Sequence, residues 1–167
     1  MATTFRAVLA LSAFCIGLRL VTVAALEAQL PRLAVVDIGF TDSSGETREQ
    51  GREHAERQRA LTEGLSRQIA QPGRLQVLHL DCGAGCSLDA AGVEMLRQRA
   101  QAAGAVYVLV GKVHKMSALV MSMRFAVLDT ASGQLVLERL LRFRSDNDEG
   151  WRHAGDYAAR EVAGALP

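Results

Sequence analysis

The hydrophobic period changes partway along this chain, and the change limits the folds open to it. Before Ala105 short β-branched runs alternate with amphipathic stretches, whereas after it three strand-length runs follow one another directly. Leu33 to Phe40 (LAVVDIGF), bounded by Pro31 and the polar stretch Thr41 to Gly51, predicts a buried first strand. From Arg52 to Ala70 the apolar residues Leu61, Leu65 and Ile69 recur every four positions, one stripe of a helix stopped by Pro72-Gly73. Leu75 to Leu80 predicts a second strand. A second helix follows, capped by Ser87 or Asp89, burying Val93, Leu96, Ala100 and Ala103 and ending at Gly104.

Val106 to Lys115, Leu119 to Leu128 and Leu135 to Phe143 predict strands three, four and five. Asp129 to Gly133 supplies the turn of the last hairpin. Ser145 to Glu149 offers an N-cap and acidic first-turn residues for a final helix with Trp151, Ala154, Ala158 and Val162 on one face. The expected architecture is a single α/β (α+β) domain in the order βαβαβββα, with a mixed five-stranded sheet and helices mainly on one face. The stripe Leu119, Met121, Met123, Phe125 and Val127 is expected to be core.

Met1 to Ala25 carries one early basic residue, Arg6, an apolar run from Ala7 to Leu18 and small residues ending at Ala25. That pattern predicts an export signal cleaved after Ala25, because signal peptidase takes small side chains in shallow pockets. Arg19 interrupts the apolar stretch short of the roughly 20 residues a bilayer span needs, so no anchor is expected after cleavage. Bulky Phe14 before Cys15 argues against lipid attachment there. Residues 26–167 are then the domain, expected in the periplasm or outside the cell. The segment holds two of the 19 basic residues and none of the 18 acidic ones, so its loss moves the formal charge from +1 to −1. A nucleic-acid surface, which needs concentrated positive charge, is not expected.

Two of the three cysteines, Cys82 and Cys86, remain beyond the signal, an even number for an oxidising compartment. Two glycines in Cys82-Gly-Ala-Gly-Cys86 let the backbone fold sharply enough to join the sulfurs, so a structural disulfide is the first expectation. The alternatives are thiol exchange, for which the spacing is Cys-x3-Cys rather than Cys-x2-Cys, and a metal site using His79, Cys82 and Cys86, with Asp81 as a further ligand. Beyond Asp81 no fourth ligand is evident, and oxidation to the disulfide would remove both thiolates, so no metal or cofactor is expected.

Positive charge gathers on the last three strands at Lys112, His114, Arg124, Arg139, Arg142 and Arg144, with Lys112 and His114 on one side by strand alternation. Such a face suits an anionic ligand or an acidic partner peptide; it is also what the wet side of an antiparallel sheet looks like. No phosphate-binding loop, no Gly-x-Ser-x-Gly elbow and no His-Glu-x-x-His helix occurs, and an enzyme is not expected.

The run Ala34 to Phe40 (AVVDIGF), the stretch Ala103 to Gly111 (AGAVYVLVG) and the turn Leu128 to Val136 (LDTASGQLV) resemble the amino-terminal domain of the TolB translocation proteins and the related periplasmic domain of the CsgG curli-secretion proteins. Gly111 to Lys115 (GKVHK) before Met116-Ser117, and Arg144 to Trp151 (RSDNDEGW) before the last helix, resemble more closely a bacterial family of exported proteins of unknown function, DUF 2380, and its relative DUF 3280. Gly150 stands between Glu149 and Trp151 at the helix start, a departure from that pattern. The unknown-function family implies no activity. The TolB-like resemblance implies contact with an envelope protein through loops or sheet surface, with Thr41 to Gly51 a candidate loop. Lys112, His114, Lys115, Ser117, Arg144 and Trp151 are the candidate partner- or anion-binding residues. The expected function is a non-enzymatic binding or assembly accessory of the bacterial envelope; the alternative is a thiol-redox or metal-handling protein built on Cys82 and Cys86.

Overall fold

The computed structural model describes residues 29–83 and 87–167. The expected signal, residues 1–25, and Cys86 lie outside the described residues. Nine elements follow in order: β1 (Arg32–Val36), β2 (Gly39–Asp42), α1 (Gly51–Ala70), β3 (Gln76–Leu80), α2 (Ala90–Ala102), β4 (Tyr107–Lys115), β5 (Val120–Asp129), β6 (Leu135–Arg144) and α3 (Asp148–Ala165). The sheet runs β3-β1-β4-β5-β6, with β2 also paired to β4. β1 is parallel to β3 and β4, β2 is parallel to β4, and β4, β5 and β6 are antiparallel. The mixed α/β domain is therefore as the period change predicts, apart from a sixth strand.

That strand arises because the expected first strand breaks at Asp37-Ile38. Val35 stands opposite Leu109 and Gly39 opposite Lys112, so four steps on one chain match three on the other, a bulge of one residue. Helix α1 satisfies the backbone that leaves the ladder there: the Ile38 N–H donates to Thr62 Oγ1 (3.1 Å) and Gln58 Nε2 donates to the Ile38 carbonyl (3.0 Å). The extra residue flips the alternation, so Leu33, Val35, Ile38 and Phe40 all face the same core.

Two cores flank the sheet. Helices α1 and α3 cover one face, where Leu61, Leu65 and Ile69 meet Met121, Met123, Phe125, Val127 and the Trp151, Ala154, Ala158, Val162 stripe. Fully buried aliphatic and aromatic side chains of this kind stabilise the fold by about 1.5–3 kcal/mol each. Helix α2 covers a smaller part of the opposite face, packing Leu96 and Ala100 on Ala34, Val36, Val108 and Val110. Asp89, not Ser87, is its N-cap, accepting from the Gly92 N–H at 2.8 Å. Two core expectations fail at element ends. Ala103 is exposed beyond the last turn of α2. Leu119 is 69% exposed because it sits in the turn before β5 rather than on the pleat.

Candidate functional site

Helix α2 covers the β3-β1-β4 end of its face and the end of β5 at Ala126 and Leu128, and the part of that face further along the β4-β5-β6 strands stays open. Cross-strand pairing fixes what it displays: Lys112 opposite Arg124 opposite Leu140, His114 opposite Ser122 opposite Arg142, and Val120 opposite Arg144. Lys112, Arg124, Leu140, Arg142 and Arg144 are exposed and His114 is half-buried. Among the described residues of these three rows and their neighbours on this face, Glu138 is the carboxylate present, 3.7 Å from Arg124. Exposed Leu140, Val120 and Leu119 interrupt the cations. Directly opposed like charges on neighbouring strands repel, so the lattice is cationic at some cost to the sheet. Arg139, expected here, has odd parity. It points to the helix side and pairs with Glu161 of α3 at 2.7 Å.

Of the six candidate binding residues, Lys112, His114 and Arg144 lie on this face. Ser117 is spent on the turn, its Oγ accepting from the Val120 N–H at 3.1 Å. His114 Nε2 lies 2.7 Å from Ser43 Oγ, which ties the loop after β2 to the sheet. Lys115 and Trp151 are on the other side and buried, at 0% and 2% exposure. They belong to a charged core.

That core centres on Asp146, in the turn before α3. Its Oδ2 takes His54 Nε2 (2.7 Å) and Lys115 Nζ (3.0 Å); its Oδ1 accepts from Trp151 Nε1 (3.0 Å) and Arg57 Nη1 (3.2 Å). Lys115 also pairs with Glu46 at 2.8 Å and donates to Gln50 Oε1 at 2.6 Å, so the loop Thr41 to Gly51 is drawn down over β4. Phe40 lies 4.4 Å from the His54 ring and 5.6 Å from Trp151, closing the apolar side. Burial alone would raise the Asp146 carboxyl; hydrogen bonds from His54, Lys115 and Trp151 outweigh it and hold the group at about 2. Burial would lower Lys115, yet hydrogen bonds to Glu46 and Asp146 leave it raised. With each charge matched and its hydrogen bonds made, this cluster locks β4, α1 and α3 together.

His54 and Asp146 escaped the sequence reading. His54 stands on the Leu61, Leu65, Ile69 stripe at helical spacing, the signal from which its burial can be read. Asp146 belongs to the capping stretch Ser145 to Glu149 in sequence, but Asn147 is the cap, its Oδ1 accepting from the Gly150 N–H at 2.8 Å.

At the carboxyl ends of the parallel strands, Asp37 Oδ1 is 2.7 Å from His79 Nε2, and its Oδ2 accepts from the Cys82 N–H at 3.2 Å. Burial pushes the Asp37 carboxyl up, but the His79 and Cys82 hydrogen bonds leave it lowered. His79 thus meets a carboxylate from the bulge. Among the described residues no group of three or more His, Cys, Asp or Glu is arranged to hold a metal. A groove of about 700 Å³ between α1 and α3 is floored by Leu61, Gly64 and Trp151. Of its polar walls, Arg57 is paired with Asp148 and Arg152 with Asp156, while the buried Glu53 Oε2 has no hydrogen-bond partner among the described residues.

The architecture defines a class: an open mixed sheet with two helices on one face, one on the other, and a bare cationic hairpin surface. The chain belongs to the family described as a protein of unknown function (DUF2380), whose model, DUF3280, matches residues 31–162. No curated protein matches it. Among solved structures it is similar to TolB from Acinetobacter baumannii (20% identity, TM-score 0.51), covering 82% of this chain but 28% of that one. It is also similar to the hypothetical protein CT253 from Chlamydia trachomatis (12% identity, TM-score 0.55, 82% and 98% covered) and to a PelC dodecamer from Paraburkholderia phytofirmans (14% identity, TM-score 0.52, 82% and 88% covered). At these identities the likeness is one of fold. No helix among the described residues is long and apolar enough to cross a membrane.

Proposed function

We propose that this protein is a non-enzymatic accessory of the bacterial envelope that binds an acidic polypeptide segment on the open face of β4, β5 and β6. The carrying observation is the row Lys112, Arg124 and Leu140 beside His114, Ser122 and Arg142, which sets fixed cations around exposed apolar surface with Glu138 as the opposing carboxylate. Charge complementarity of this kind speeds encounter and selects the partner, while the apolar residues between the charges supply area to bury. Export by the residue 1–25 signal and a Cys82–Cys86 disulfide that staples the loop before α2 complete the reading. Fold likeness to TolB and to a dodecameric PelC is in keeping with work in assemblies.

The test uses a fluorescent glutamate-rich peptide as probe. Binding should fall steeply as salt rises and drop at least about tenfold in Lys112→Glu/Arg124→Glu, with thermal stability changed little, since the substitutions are exposed. A Lys115→Met protein, altered beneath the sheet, should bind as the unaltered chain does below its melting temperature. Binding that ignores both salt and the double reversal would sink the proposal. The second reading, thiol or metal chemistry at Cys82 and Cys86, rests on the Asp37–His79 pair beside Cys82. A cysteine pair reduced readily at a glutathione-like potential would favour it.

A further inference from the structure

We infer that the free edge of β6 is a self-complementary docking strand and that two copies of this chain join there, antiparallel, into one continuous sheet. β6 is the terminal strand, ten residues long, and among the described residues no other strand pairs with its outer side. Protected edges are short, kinked, or carry proline or charges, and the charges of β6 are of both signs, Glu138 against Arg139, Arg142 and Arg144, so a second copy can match them. β6 has no proline, and its one register irregularity lies at its beginning, between Val127 and Leu128 of its neighbour.

The sequence of the strand selects one register. In a two-fold antiparallel pair, opposed residues lie on the same face, so only registers centred on a residue keep the pleat in step. Centring on Leu140 sets that exposed leucine, 55% accessible, against its own copy. It places Glu138 opposite Arg142 of the second copy twice over on the open face, and Leu137 opposite Phe143 twice over on the helix side. Centring one residue earlier opposes Arg139 to Arg139; one later opposes Leu140 to Arg142. Centring on Glu138 or Arg142 opposes like charges at the axis. The Leu140 register also opposes Arg139 to Leu141 and Val136 to Arg144, but by joining apolar to apolar at the axis and at Leu137–Phe143 and acid to base at Glu138–Arg142 it matches more positions than any of the other registers. Pairing extends the open cationic face across both copies, and the inference stands on the β6 sequence and edge whether or not that face binds an acidic segment.

The experiment is sedimentation velocity on the purified chain across roughly 1 to 200 µM, the range in which a modest interface shows its dissociation constant. The unaltered chain should show a reversible dimer. Glu138→Arg and Arg142→Glu should each weaken it by about tenfold or more by opposing like charges. The double change E138R/R142E should restore it to within about threefold, because the pair is only exchanged across the axis. Circular dichroism shows whether each variant is folded, and since Glu138 and Arg142 are exposed no loss of fold is expected. A monomer throughout the range would overturn the inference. So would a dimer indifferent to the single changes, or one that the double change does not restore.

Discussion

Replacing Asp146 with asparagine keeps the side-chain volume and removes the charge on which four donors converge. His54 and Lys115 address Oδ2 while Trp151 and Arg57 address Oδ1. Whichever way the new amide turns, two of those donors meet its NH2. Breaking a buried ion pair by removing one partner costs about 3–5 kcal/mol, and Lys115 keeps Glu46 and Gln50, so the lower end, about 3 kcal/mol, applies. A second route agrees: lowering the carboxyl from 3.8 to about 2 corresponds to about 2 kcal/mol of stabilisation of the ionised form. For a domain of this size the melting temperature should fall by roughly 10 °C, and the urea midpoint should drop by about 1.5 M at unchanged slope. The folded pKa is depressed, so this stability is full above the unfolded value near 3.8 and is lost as pH falls through about 2. The gap between the two proteins should therefore narrow between about pH 4 and pH 2. Urea melts of both proteins at pH 7, 4 and 2.5 are the assay. A difference under about 1 kcal/mol at pH 7, or one that stays constant on acidification, would refute the reasoning.

The turn before α3 gives two changes of opposite sign. A Cβ on Gly150 would lie 2.5 Å from the Ser145 carbonyl oxygen, so Gly150→Ala should cost about 2 kcal/mol in urea melts. Ser145 holds φ at 73°, and Ser145→Gly should stabilise by up to about 1 kcal/mol. Between α1 and α3, a Cβ on Gly155 would come within 2.7 Å of Leu61 Cδ1. Gly155→Ala should lower stability by about 1 kcal/mol, and Gly155→Ala/Leu61→Ala should cost less than the sum of the two single changes, because Leu61→Ala removes the clashing atom.

Strand and helix periods carried most of the fold, because each element is long enough for one face to repeat. The bulge at Asp37-Ile38 was not legible, since its cause lies in Gln58 and Thr62 of a helix, 20 and 24 residues on from Ile38. Gly150, a departure from the family pattern, has a local reason that only packing shows: its N–H serves the Asn147 cap, and a Cβ there would run into the Ser145 carbonyl. The charged core stayed hidden because its members, among them Glu46, His54, Lys115, Asp146 and Trp151, are scattered along the sequence and only the fold brings them together.

Strand β4 shows how far alternation could have gone. The period that puts Lys112 and His114 on one side puts Lys115 on the other, with Val113 and the helices. A lysine on the core side has to find carboxylates, and Glu46 and Asp146 are the acids that the neighbouring loops bring to it. One strand thus feeds two opposite uses of positive charge. Below the sheet it is fully matched, so it holds the loop and α3 in place and has no capacity left for a ligand. Above, the cations of three strands outnumber the carboxylate beside them, and that excess is what an acidic partner would neutralise.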